Sequence, residues 1–164
     1  MRTVNDALVA SLTATTALFH RAVADLKPTE WHYQPVAGMN TVAWIIGHVT
    51  LIDHRRTTAL GATGLPVLPD GFADRYGQTR KPAVTQTGLD SAALLTALFL
   101  QTRERFVAAA RTATLEKLSE PLTAPHPLFA DLGESVLFVS GPHAALHIGQ
   151  ITVIRRLLGY PPVA

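Results

Sequence analysis

The chain has 164 residues, of which 48% are hydrophobic, and a formal net charge of +2. This length and hydrophobic content fit a single globular domain, residues 1–164, with its own core. The absence of cysteine excludes a disulfide framework, a cysteine-based zinc finger and a thiol nucleophile supplied by this chain. Lysine and arginine are scattered among acidic residues, so no basic stripe indicates binding to nucleic acid.

Targeting and membrane-spanning patterns are not apparent in the sequence. The N-terminal segment, MRTVNDALVASLTATTALFH, is too polar for the apolar region of a signal peptide. No apolar run approaches the roughly 18 to 20 residues of a transmembrane helix. We therefore expect a cytoplasmic protein that binds neither a membrane nor nucleic acid.

Four segments carry apolar side chains at three- and four-residue spacing, the pattern of a helix with one buried face. Capping and stop residues delimit them: Asn40 or Thr41 can cap the second segment, while Gly159 and Pro161 stop the fourth. A short helical turn is expected at residues 28–32. The predicted long helices cover about residues 5–26, 40–60, 90–112 and 134–158.

The connections and one helix interior are interrupted by glycine and proline. Residues 61–87 form a long connection with little expected regular structure, which is a candidate lid or crossover. Residues 118–133 are likewise expected to be irregular. Gly141 and Pro142 predict a kink in the fourth helix at 138–142, or a break with Ser140 as a new cap. Together these features predict an all-α fold, a four-helix bundle with a long crossover between helices 2 and 3.

Histidines on predicted core faces are the main functional signal. The segment HAALHIGQ places His143 and His147 on the stripe of the last helix that also carries core residues. A buried imidazole needs a partner, and rings at i and i+4 point to the same side. His48 lies on the apolar face of the second helix and is also expected to point inward. Three inward histidines predict a metal site with open coordination positions; independently satisfied core histidines are the alternative.

Further side chains are candidates for the surroundings of this site. Gln150 is the best candidate for a hydrogen bond to it, with a boundary residue bonded to a loop as the alternative. Trp44, Phe72 and Tyr76 are expected either to line a pocket or to belong to the core. No inward carboxylate suggests a general base, because Asp53 points about 140° away from His48 at roughly 100° per residue.

The remaining charged and imidazole side chains are expected to have simpler roles. Arg55 and Arg155 are predicted to be solvated charges near helix ends, with the binding of an acidic substrate as the alternative. Four histidines are assigned to the surface or to loops: His20, His32, His54 and His126.

Two segments of the sequence resemble the signatures of the DinB/YfiT-like superfamily of metalloenzymes. They are PTEWHYQPVAGMNTVAWIIGHV at 28–49 and HAALHIGQITVIRRLLG at 143–159, and the resemblance extends loosely over the chain, including GFADRYG in the long connection. It implies a four-helix bundle that binds a divalent metal, zinc or nickel above all, through His48, His143 and His147. Pro142, directly before His143, departs from the family pattern. If one of the three histidines is displaced from the site, we expect it to be His143.

The resemblance also implies a thiol-dependent activity. Relatives include S-transferases that use bacillithiol, mycothiol or another low-molecular-weight thiol, and a thiol-dependent maleylpyruvate isomerase. A metal with three neutral ligands keeps its charge and lowers the pKa of a bound thiol or water. The leading hypothesis is therefore an S-transferase acting on a small electrophilic substrate; a metal-dependent hydrolase and a non-catalytic metal-binding stress protein are the alternatives. Dimers are frequent in the superfamily, so a homodimer is expected.

Overall fold

Four long helices form the frame of the protein, in a computed structural model that describes residues 2–77 and 86–163, with only the backbone at 124 and 125. In chain order the elements are α1 (Val4–Val23), a 3₁₀ helix (Pro28–His32), α2 (Val42–Ala59), α3 (Phe72–Tyr76), α4 (Ala92–Thr112), α5 (Leu115–Leu118), β1 (Pro121–His126), β2 (Phe129–Asp131), α6 (Leu132–Phe138), a π-turn (Val139–His143) and α7 (Ala144–Leu157). The unit from α6 through the π-turn to α7 is one continuous helix, here called the C-terminal helix.

The long helices pack as a bundle in which α1 and α2 each lie against both α4 and the C-terminal helix. One core cluster contains Phe19, Ile45 and Phe99, and a second contains Leu12 and Phe106. The all-α bundle prediction is therefore confirmed.

The predicted helices agree with the structure in position, but the ends and one buried face differ. Thr41 caps α2 as predicted, because its side chain accepts a hydrogen bond from the Trp44 backbone N–H. The first helix ends at Val23, earlier than the predicted residue 26. On α4, Leu94 is exposed, although the apolar pattern places it in the core. The buried stripe of α4 instead passes through polar side chains such as Arg103, which apolar periodicity cannot reveal.

The segment 118–133 was expected to be irregular, and this prediction is wrong. Strands β1 and β2 form an antiparallel hairpin in which Pro121 pairs with Asp131 and His126 with Phe129. The Phe129 ring packs on Phe138 of α6 with centroids 5.5 Å apart. Packing onto the C-terminal helix stabilises this short hairpin. Its sequence has no alternation of apolar and polar residues from which the strands could be predicted.

The Gly141–Pro142 step widens the C-terminal helix and does not break it. A π-turn spans Val139–His143, so Ser140 lies inside the helix. The predicted alternative of a break with Ser140 as a new cap is therefore wrong. The Ser140 carbonyl accepts hydrogen bonds from Ser11 Oγ at 3.0 Å and from Thr15 Oγ1 at 3.1 Å, both on α1. Proline lacks a backbone N–H, and here the neighbouring helix supplies donors to the disturbed turn.

The continuous helix Leu132–Leu157 is long and apolar enough to cross a membrane, with a mean hydropathy of 1.2 over its 18-residue window. This corrects the expectation that no segment reaches that length. One such helix is only a weak indication, because the core helix of a soluble protein passes the same test. The expectation that the protein binds no membrane stays a prediction.

In its described part, the long connection between α2 and α4 contains a helix that the sequence does not predict. Within residues 61–77, α3 packs on α2, and its side chains Phe72 and Tyr76 are buried in the core. Residues 78–85 of the predicted lid or crossover lie outside the described residues.

Candidate metal centre

Three histidine rings converge between α2 and the C-terminal helix. His143 Nε2 lies 3.2 Å from His48 Nε2 and 3.2 Å from His147 Nε2. One potential ligand atom from each of the three residues lies within 4.8 Å of the other two, and no other group of three histidine or acidic side chains in residues 2–77 and 86–163 is arranged this way. The sequence-predicted histidines are thus brought together by the fold.

His48 is held in its orientation by α3. Its Nδ1 lies 2.8 Å from the backbone carbonyl oxygen of Tyr76, and a carbonyl only accepts, so Nδ1 carries the proton and Nε2 presents a lone pair. The Trp44 ring stacks on the imidazole at 4.8 Å with an interplanar angle of 5°. Trp44 is fixed in turn, because its Nε1 donates to the Arg75 carbonyl at 3.1 Å.

Gly47 allows α3 to approach α2 this closely. A Cβ atom at this position would lie 2.3 Å from Cδ1 of Tyr76, well inside van der Waals contact. The Tyr76 hydroxyl donates to Asp90 Oδ2 at 3.0 Å, and burial raises the pKa of Tyr76 to about 12. Tyr76 therefore reaches the histidines through its carbonyl, while its ring and that of Phe72 belong to the core; their role as pocket lining stays a prediction.

His147 is oriented by a side chain of its own helix. Its Nδ1 lies 3.0 Å from Gln150 Oε1, which fixes Nδ1 as the donor and leaves the Nε2 lone pair facing the cluster. Gln150 makes the hydrogen bond expected of it, but it is exposed and not buried as the helical stripe suggested. Its neighbour on the stripe, Ile151, is fully buried.

His143 is brought into the cluster by the π-turn. Pro142 precedes it, yet the ring lies at hydrogen-bond distance from both other imidazoles, so the proline does not displace it from the group. His143 Nδ1 is buried and has no hydrogen-bond partner in the part of the chain that the structure describes.

All three imidazoles favour the neutral form. Burial lowers the pKa of His143 to about 3, and the charges that His147 and His48 would carry lower it further. Burial likewise lowers the pKa of His147 to about 4, and it lowers the pKa of His48. Neutral imidazoles are the form that binds a metal ion.

The donor set fits a cation better than it fits a hydrogen-bonded trio. With His48 and His147 both presenting Nε2 lone pairs, His143 can donate one proton to only one of them, and its Nδ1 remains unpaired. A divalent ion would satisfy all three lone pairs at once. In a tetrahedral zinc site with Zn–N distances of about 2.1 Å, ligand nitrogens lie roughly 3.4 Å apart, close to the two contacts of 3.2 Å seen here.

A buried ion pair lies next to this cluster, and the sequence analysis missed it. Arg103 Nε donates to Asp53 Oδ2 at 2.6 Å, with side-chain exposures of 2% and 0%. Arg103 Nη1 donates at 2.9 Å to Thr15, whose hydroxyl faces the Ser140 carbonyl of the π-turn. Asp53 is thus an inward carboxylate, which corrects the expectation that none exists, but it is engaged with Arg103 and is not among the candidate ligands around His48. The sequence did carry a signal for this ion pair, because Asp53 on α2 and Arg103 on α4 each interrupt an apolar helix face with a charge.

The expectation that Arg155 is a solvated helix-end charge is wrong. Its side chain is 3% exposed and bonded to Asp25 and to the Ala22 carbonyl, which tie α7 to the end of α1. Arg55 is exposed, as predicted. Of the four remaining histidines, His20, His32 and His126 are exposed as predicted. His54 is half-buried on α2, where its Nε2 lies 3.2 Å from the Pro66 carbonyl oxygen.

Comparison with known proteins agrees with the resemblance drawn from the two sequence signatures. The family model of the DinB superfamily matches residues 11–151, a span that includes all three clustered histidines. No curated protein matches the chain. Since the match covers most of the sequence, the chain belongs to the DinB superfamily.

Proposed function

We propose that the protein is a divalent-metal-dependent enzyme that transfers a low-molecular-weight thiol to a small electrophilic substrate. The observation that carries the proposal is the convergence of three neutral imidazole Nε2 atoms, two of them fixed by acceptors on Nδ1. His48, His143 and His147 would hold the ion, with zinc or nickel as the expected metal.

The chain's own residues prepare the site in two ways. The Tyr76 carbonyl oxygen accepts a hydrogen bond from Nδ1 of His48, and Gln150 Oε1 accepts one from Nδ1 of His147. These two bonds set the tautomers of the rings. Burial keeps the three rings in the neutral form. When bound, the ion supplies the positive charge that lowers the pKa of a thiol. That thiol must come from a second molecule, because the chain has no cysteine.

The surroundings favour thiol transfer over hydrolysis. Among the candidate ligands in the described residues there is no carboxylate that could act as a general base for a hydrolytic water. The buried carboxylate on the same helix as His48, that of Asp53, is occupied by Arg103. A cleft of about 270 Å³ is lined by Met39, Asn40 and Gln150, and the hydrogen bond between Gln150 and His147 connects this cleft to the cluster.

Metal analysis is the first test. Purified wild-type protein is expected to bind one divalent ion per chain, and His48→Ala and His147→Ala are expected to lose it. His32→Ala is the matched control, because this histidine is exposed and outside the cluster. A wild type without a stoichiometric ion, or cluster variants that bind as well as the control, would overturn the site assignment.

Thiol transfer is then measured with the zinc- or nickel-loaded protein. Bacillithiol, mycothiol and glutathione are each offered with 1-chloro-2,4-dinitrobenzene, and product is followed by absorbance. The rate is expected to need both metal and thiol. Metal-dependent ester hydrolysis without thiol dependence would favour a hydrolase instead. The homodimer, the small-molecule substrate and the cytoplasmic location are part of this proposal.

A further inference from the structure

Arg56 is a half-buried cation that lacks an acidic partner. Across the described ranges 2–77 and 86–163, four arginines are buried or half-buried. Three of them pair with aspartates: Arg75 with Asp90, Arg103 with Asp53, and Arg155 with Asp25. Arg56 forms no ion pair within those ranges, and its Nε is buried without a hydrogen-bond partner.

Arg56 lies on the same helix as His48 and is connected to the histidine cluster through aromatic side chains. It lies on α2 about two helical turns after His48, and its positive charge contributes to the lowered pKa of His143. Its guanidinium carbon lies 5.9 Å from the centre of the Phe129 ring on the hairpin. Phe129 also packs on Phe138, whose ring is 6.1 Å from that of His143. The hairpin and Arg56 therefore form one wall beside the cluster.

Burying an unpaired cation costs free energy, and the cost is offset when a ligand brings the missing anion. Burial and the neighbouring charge of Arg55 lower the pKa of Arg56, as expected for a cation without an acidic partner among the described residues. The three imidazoles are neutral and supply no negative charge. A planar guanidinium binds a carboxylate through two parallel hydrogen bonds, and the single negative charge of a carboxylate neutralises the one unpaired positive charge of Arg56.

We propose that the ligand received at the three-histidine cluster carries a carboxylate, and that Arg56 binds this group against the Phe129 ring. The inference rests on the proposed function, since it describes the thiol or electrophile used at the same site. Arg56 is then the residue that selects acidic ligands over neutral ones of equal shape.

The test compares thiol acids with their methyl esters on the cobalt(II)-loaded protein. Mercaptoacetate, 3-mercaptopropionate and 4-mercaptobutanoate vary the distance between sulfur and carboxylate, and binding is followed by the visible absorption of cobalt. For at least one spacer, wild type is expected to bind the acid more tightly than its ester. Arg56→Gln is expected to reduce that preference about tenfold and to leave ester binding unchanged.

Arg55→Gln is the matched control, because Arg55 is the adjacent exposed residue with the same charge. It is expected to keep the wild-type preference, which separates a contact from a long-range charge effect. The acid can also contact the metal directly, so the part of the preference that depends on Arg56 is what counts. If Arg56→Gln does not fold, Arg56→Lys keeps the charge without the planar fork and is expected to weaken acid binding about threefold.

An acid-to-ester preference that stays the same in the Arg56 variant for all three spacers would overturn this inference alone. Failure of the wild type to bind cobalt would overturn the proposed function and the inference together. A preference lost equally in Arg55→Gln and Arg56→Gln would also overturn it, because no specific contact would then exist.

Discussion

Removal of Arg103 should destabilise the protein strongly, and more at high pH than near pH 6. Asp53 and Arg103 are almost completely buried, with side-chain exposures of 0% and 2%. Burial raises the pKa of Asp53 to about 6, while Arg103 opposes this effect. Arg103→Met leaves a buried carboxylate without its cation, which typically costs about 3 to 5 kcal/mol. For a chain of this size the melting temperature should fall by roughly 6 to 20 °C.

The pH dependence follows from the same pair. Without Arg103, the pKa of Asp53 rises above its wild-type value of about 6, so the folded variant takes up a proton at a pH where wild type does not. The cost of the substitution relative to wild type should therefore shrink as the pH falls from about 8 to about 6, by up to about 1.4 kcal/mol per pH unit. Below that range both proteins carry a protonated Asp53, and the difference should stay constant.

Urea unfolding at pH 8, 7 and 6 measures the effect, and Arg155→Met is the control. The carboxylate that Arg155 leaves behind, that of Asp25, is 49% exposed and can be solvated, so a loss of about 1 kcal/mol is expected. The double variant Asp53→Leu/Arg103→Met removes both charges and should recover at least about 2 kcal/mol. Equal losses for the two arginine variants, or a loss that does not change with pH, would refute the reasoning.

Three further predictions concern the histidine cluster. Gly47→Ala should cost about 1 to 3 kcal/mol of stability and weaken metal binding, because its Cβ would collide with Tyr76. Gly149→Ala, in open space on α7, is the control and should not destabilise the protein. Equal melting temperatures of the two variants in calorimetry would contradict this account. Gln150→Leu should weaken metal binding about tenfold by calorimetric titration, since His147 loses the acceptor for its Nδ1 proton; the exposed Gln101→Leu should have no effect, and equal affinities would exclude an orienting role. The metal-free protein should lose stability as the pH falls below about 6.5 and towards 3, because the unfolded chain binds protons that His143 (pKa about 3) and His147 (pKa about 4) do not; His143→Leu should flatten this slope in thermal melts with chelator present, and an unchanged slope would argue against it.

Helical periodicity was sufficient to predict the bundle and to predict that the three histidines point inward. His48, His143 and His147 each lie on a stripe of apolar residues, so their convergence follows once the helices pack. Their role as metal ligands stays a prediction. The assignment of residues 1–164 to a single domain also stays a prediction.

Contacts between distant segments could not be read from the same pattern. Asp53 and Arg103 occupy core positions on two helices, but a stripe analysis counts only apolar side chains and passes over a charge that finds its partner on another helix. The carbonyl of Tyr76, which orients His48, belongs to a connection whose docking depends on Gly47. Backbone acceptors leave no trace in residue type, because every residue has one.

The π-turn makes the spacing along the C-terminal helix a matter of residue count. A π-turn holds one residue more than an α-turn, and each residue in a helix corresponds to a rotation of about 100°. If one residue were deleted within Val139–His143, the helix could become regular, but α6 and α7 would then be rotated against each other by that angle. Either the buried face of α6 or the His147 imidazole of α7 would leave the interior. The π-turn thus lets α6 and α7, which belong to one continuous helix, each direct its own buried face inward. A regular helix of the same sequence without the extra residue would lose either the histidine cluster or the packing of α6.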